Sequence, residues 1–137
     1  MPLSTSRYQR FHPDQGVAVR TTVGRPRFRL DYPLTGHATL ISPMVWMLRI
    51  ADEQHYRTVY TDMLATTGVD AIRHELTTIA TAAADDRLVL LCFCDLAIPA
   101  PNNWCHRRIF ADWWQTQTGD DIPELAPAAD APEQPLF

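Results

Sequence analysis

The segment Leu88 to Cys94, LVLLCFC, is apolar at every position. A strand of that composition has no face to give to water and belongs between two covering layers, as in a parallel sheet flanked by helices. A bilayer span needs about 20 such residues, so the run predicts a buried strand over Arg87–Phe93 and no membrane segment. The rest of the chain has to supply cover for both of its sides.

With 137 residues, the chain has room for one domain with its own core. Residues 1–16 are polar and broken by His12, Pro13 and Gly16, and are expected to form an N-terminal arm. The β-branched run Val17 to Val23 predicts a strand ended by the turn Gly24-Arg25-Pro26-Arg27, with Phe28 to Tyr32 continuing as extended chain. Ser42-Pro43 suggests the cap and first residue of a short helix to Ile50. Asp52 is read as the cap of a helix to about Thr66, in which Tyr56, Val59, Tyr60, Met63 and Leu64 recur at helical spacing before Gly68. Asp70 is read as the cap of the next helix, whose apolar face is Ile72, Leu76, Ile79, Ala80 and Ala83. A proline-rich loop, Ala97 to Asn103, leads to a helix from about Trp104 to Thr116, anchored by Phe110, Trp113 and Trp114 and closed by Gly119. Residues 126–137 lack periodicity and are expected to be a disordered acidic tail. This order of elements implies a single α/β domain over 17–125, a small and mostly parallel sheet in a three-layer, Rossmann-like arrangement. The alternative is an all-α fold in which both apolar runs are buried helices.

Every one of the 12 cationic side chains is arginine. Without lysine, Schiff-base chemistry and a Walker-type phosphate lysine are excluded. Charge is sorted along the chain, with net values of +5 over 1–30, −3 over 31–110 and −6 over 111–137. An overall balance of −4 argues against a broad nucleic-acid surface but leaves room for a local arginine site. Three cysteines, an odd count, and an N-terminus without the basic and apolar regions of a signal peptide predict a reduced, soluble, cytoplasmic protein.

The run LLCFC, followed about a dozen residues later by Cys-His-Arg, an aromatic helix and Pro-Glu-Leu, resembles the domain of unknown function 488 family. The upstream RTTVGRPRFRL is similar to that family's arginine and proline segment, so the resemblance covers roughly Val17 to Leu125. It places Cys92, Cys105, His106 and Arg107 on the family's motif, with Arg25, Pro26 and Arg27 on its upstream part. Cys94 stands where the family usually has Glu, and the loop Asp95 to Trp104 is longer and richer in proline. The family has no settled activity, so the resemblance implies an α/β fold with its site at the strand ends.

In open α/β sheets, ligands bind beyond the carboxyl ends of the strands, where helix N-termini point their free N–H groups. Arg25 and Arg27, Cys92 and Cys94, and the helix start at Cys105, His106 and Arg107 are all expected there. Guanidinium forks hold phosphate or carboxylate bidentately, so the expected ligand is an anionic small molecule such as a nucleotide. The competing expectation is that these arginines form surface ion pairs with the many acids. Cys105 is the candidate nucleophile, because a helix N-terminus and neighbouring Arg and His lower a thiol pKa. His106 would be its acid or base, although adjacent helical residues point about 100° apart; packing as a small hydrophobe is the alternative for both Cys105 and Cys92.

Asn103 and Trp104, in the loop, are placed to contact the same ligand. A phosphatase loop is disfavoured, since Ala111 and Ala100 stand where an arginine would follow Cys105 and Cys94. Cys92 and Cys94 share a face, yet their spacing and the adjacent Cys-His pair match no common zinc module, so no metal and no cofactor are expected. The best reading is an α/β protein with an arginine-rich anion pocket, an enzyme on a nucleotide-like or phosphorylated compound if Cys105 and His106 act on that ligand. The alternative is a non-catalytic module that contacts nucleic acid or protein through the basic N-terminal face.

Overall fold

The apolar run forms β4, Leu88–Cys92, buried at all five positions and hydrogen-bonded on both sides. This is a computed structural model, and it describes residues 1–126; the tail expected over 126–137 lies outside the described residues apart from Ala126, whose carbonyl accepts a bond from Gln15. The other strands are β1, Leu3–Arg7, β2, Val17–Arg20, and β3, Gly36–His37, in the spatial order β1-β4-β2-β3 and all parallel. Leu3 pairs with Leu88, Val17 with Leu88, and Val19 with both Leu90 and Gly36. The protein is therefore an α/β fold with its most apolar strand inside the sheet.

Three helices cover one face: α1, Glu53–Thr67, α2, Val69–Ala83, and α3, His106–Thr118. Their inward residues, among them Tyr60, Leu64, Ile72, Leu76, Phe110 and Trp114, join Val17, Val19, Leu88 and Leu90 in the larger core. Tyr8, Phe11, Ala18, Val89 and Leu91 form the core of the opposite face, covered by Leu30, Tyr32, Leu34 and Leu125. The third layer is thus made of irregular chain: Phe28 to Tyr32 forms no strand. No helix of the described residues is long and apolar enough to cross a membrane.

The structure corrects several boundaries. The N-terminal arm is absent as such: residues 3–7 are strand β1, inside the sheet. Its buried polar positions, Thr5 and Ser6, break the apolar alternation of a strand, and burial of Thr5 is tolerable because its hydroxyl bonds Glu124 and Arg108. Thr5 donates its backbone N–H to the Pro123 carbonyl at 2.9 Å, and Leu125 donates to Thr5 at 2.8 Å, so residues near 124 run beside β1 as a parallel bridge. Ser42 does not cap a helix: its hydroxyl donates to Ala38, and residues 39–49 form two short 3-10 turns, Thr39–Ile41 and Val45–Arg49. Asp52 caps α1 as expected, accepting from His55 N–H at 2.8 Å. Gly68, not Asp70, occupies the cap position of α2, and Asp70 sits in the first turn, where a carboxylate favours the helix dipole. α3 starts two residues later than expected, with Cys105 as its cap and Gly119 left-handed at its end. Gly16 has φ +143°, and a Cβ there would lie 2.1 Å from the Arg87 carbonyl oxygen; only glycine lets β2 start against β4.

Candidate functional site at the carboxyl end of the sheet

Parallel strands deliver their last residues to one edge, and at this edge three thiols meet. Cys92 ends β4, Cys94 follows two residues on, and Cys105 caps α3; their sulfurs all lie within 4.8 Å of one another. Cys92 and Cys105 are buried and Cys94 is exposed, and all three are free thiols. Burial pushes Cys92 up to about 11 and Cys105 up to about 12. The hydrogen bond to Cys105, with burial adding to it, raises Cys94 to about 11.

His106 and Cys105 form a hydrogen-bonded pair, with Cys105 Sγ 3.6 Å from His106 Nδ1. Adjacent residues inside a helix would point apart. Cys105 escapes this because it stands before the helix in extended conformation, φ −156° and ψ 152°. The ring is oriented by β2: Nε2 lies 2.8 Å from the Thr21 carbonyl oxygen, which fixes the proton on Nε2 and leaves Nδ1 bare to accept from the thiol. Thr21 is held in turn by its hydroxyl bond to Leu91 at 2.8 Å. Burial lowers the His106 pKa to about 4. A thiol pushed up beside an imidazole pushed down is a neutral pair at pH 7, the reverse of the activated thiolate expected from the sequence.

Arg107 is also not the open anion fork that the motif suggests. Its side chain is buried, and Nε and Nη2 donate to the two carboxylate oxygens of Glu124 at 3.0 and 2.7 Å. Nη1 donates to Cys92 Sγ at 2.9 Å and to the Cys94 carbonyl at 2.8 Å. Burial disfavours the charged guanidinium, but the bonds to Glu124 outweigh it and keep the pKa raised. Glu124 accepts a third bond, from the Thr5 hydroxyl at 2.7 Å, and Arg108 donates to that same hydroxyl at 2.9 Å and to the Ile122 carbonyl. Arg107 is thus a tie between α3, β4 and the segment beside β1.

Arg25 and Arg27 are exposed in the loop after β2. That loop is organised from within: Arg20 donates to the carbonyls of Thr22 and Val23, and Thr22 donates to Gly24. It reaches the carboxyl edge at β4, since Phe28 packs edge-on to Phe93, the residue after that strand, at 6.3 Å. Among the described residues, Arg25 and Arg27 make no ion pair and no side-chain hydrogen bond, whereas Arg7, Arg57, Arg87 and Arg107 each hold a carboxylate.

Trp104 is not an open stacking platform: it is half-buried, with its ring 5.1 Å from Tyr56. Asn103 is exposed on the loop. Two residues were missed by the sequence reading, Glu124 and Thr21. Thr21 acts through a backbone carbonyl, which carries no sequence signal; Glu124 was visible only within Pro-Glu-Leu. No protein-family model, curated protein or solved structure matches the chain.

Proposed function

We propose that the protein binds an anionic small molecule, a nucleotide or another phosphorylated compound, at the carboxyl end of its sheet. The observation that carries this is the pair of exposed guanidiniums, Arg25 and Arg27, uncommitted among the described residues in a loop whose Phe28 packs on Phe93 at that edge. A guanidinium that is already in place and unpaired gives up no ion pair when it takes a phosphate. Binding without turnover is the better-supported role, because Cys105 and His106 are buried and neutral and offer no thiolate nucleophile. Membership in the domain of unknown function 488 family belongs to the same reading, since Cys92, Cys105, His106 and Arg107 all gather at this edge.

The test is thermal unfolding of the full chain with a nucleoside diphosphate, inorganic pyrophosphate or an uncharged nucleoside. A ligand that binds only the folded state at about 100 times its Kd adds about 2.7 kcal/mol of apparent stability. The phosphorylated compounds should raise Tm, the nucleoside should not, and Arg25→Ala with Arg27→Ala should abolish the gain. No gain with any phosphate compound, or a gain that survives both substitutions, overturns the proposal.

A further inference from the structure

We infer that Cys92, Cys94 and Cys105 form a zinc site, three thiolates from two separate elements closing on one ion. Three sulfurs already lie within 4.8 Å of one another. A tetrahedral zinc with bonds of about 2.3 Å holds its sulfurs roughly 3.8 Å apart, so each pair has to close by no more than about 1 Å. The two least movable sulfurs, at the end of β4 and at the cap of α3, are fixed by buried backbone, and Cys94, beyond the end of the strand and exposed, is the one free to adjust.

Burial holds the free thiols protonated, but Cys92 is already furnished with the donors that a metal-bound sulfur needs. Cys92 Sγ receives two N–H donors, the Arg107 guanidinium at 2.9 Å and the Cys94 backbone at 3.4 Å. A neutral thiol is a weak acceptor, whereas a metal-bound thiolate carries negative charge that such donors neutralise and orient. Arg107 is itself anchored to Glu124, so this donor is held in place before any ion arrives. Zinc in place of three thiol protons releases those protons to solvent, and a three-ligand set leaves a tetrahedral ion one further position for water or a small ligand. The sequence spacing matched no common zinc module because the ligand set is completed in space, across the loop between Cys94 and Cys105.

The inference stands apart from the anion reading, and its test uses no phosphate. The full chain, reduced by a phosphine and stripped with a chelator, is titrated with Zn²⁺ against a chromophoric competitor, and with Co²⁺ as a spectroscopic probe. One zinc per chain is expected, together with intense thiolate-to-cobalt charge-transfer absorption. Cys94→Ser, at an exposed position where the fold should tolerate it, is expected to weaken zinc at least tenfold and to lose part of that absorption; Cys105→Ser should do the same where it folds. Absence of stoichiometric zinc binding, or binding that Cys94→Ser leaves unchanged, overturns the inference. Such a failure leaves the response of Arg25 and Arg27 to phosphate compounds untouched.

Discussion

Arg107 and the pair Arg25 and Arg27 occupy the same edge of one sheet in opposite states. Arg107 is buried and every branch of its guanidinium is engaged, by Glu124, Cys92 and the Cys94 carbonyl. Arg25 and Arg27 are exposed and, among the described residues, engage no acid. The Cys-His-Arg motif that marks Arg107 for function marks a structural tie, and Arg25 and Arg27, upstream of it, are the ones that hold no acid among the described residues. What separates them is a single acid, Glu124, delivered from 17 residues downstream.

Removing the tie should have the largest effect. Arg107→Ala strips Glu124 of two bonds and leaves a hole among buried groups, and breaking a buried pair typically costs about 3–5 kcal/mol; because Glu124 stays partly exposed, about 3 kcal/mol is expected in urea denaturation. A loss comparable to a surface substitution would erase the distinction.

Acid should come next in effect per unit of pH. In metal-free protein the His106 pKa is about 4 against an ordinary 6.5, so between those values the unfolded chain binds the extra proton. Stability on this account is unaffected above pH 6.5 and falls as pH drops from 6.5 towards 4, by about 1.4 kcal/mol per unit. Urea midpoints measured over that range should slope downward into acid, and His106→Gln should remove that part of the slope.

Glu124→Gln keeps one acceptor oxygen but gives up the charge, and should cost about 1.5 kcal/mol, the low end of the usual worth of a bond to an ionised group. The smallest effect is expected at the other pair: Arg25→Ala and Arg27→Ala should each shift stability by less than about 0.5 kcal/mol. A double variant that unfolds more easily by over about 1 kcal/mol would show that these arginines are committed after all.

The same contrast explains what was legible in the sequence. β4 and the helices α1, α2 and α3 were readable because apolar spacing and the signals at Asp52, Gly68 and Gly119 act locally. The shared face of Cys92 and Cys94 was readable from strand alternation. β1 was not, because LSTSR buries Thr5 and Ser6 through bonds and pairing with residues more than 80 positions away. Nor was the fate of Arg107, since no local pattern says which of the downstream acids returns to it. Cys105 and His106 show the limit most closely: their adjacency was plain, but whether they touch depended on where the helix began, a matter of one residue.

Because β1 pairs with β4 and is flanked by the stretch at Glu124, its residues are made well before either neighbour and cannot be seated until they arrive. During synthesis at about 5–20 residues per second, Leu3–Arg7 waits several seconds, roughly 4–16, for its partner to emerge. An unpaired apolar strand would spend that interval as an adhesive edge. The Ser and Thr of β1 let it wait in water and still join the core, so the polarity that conceals the strand also protects the nascent chain.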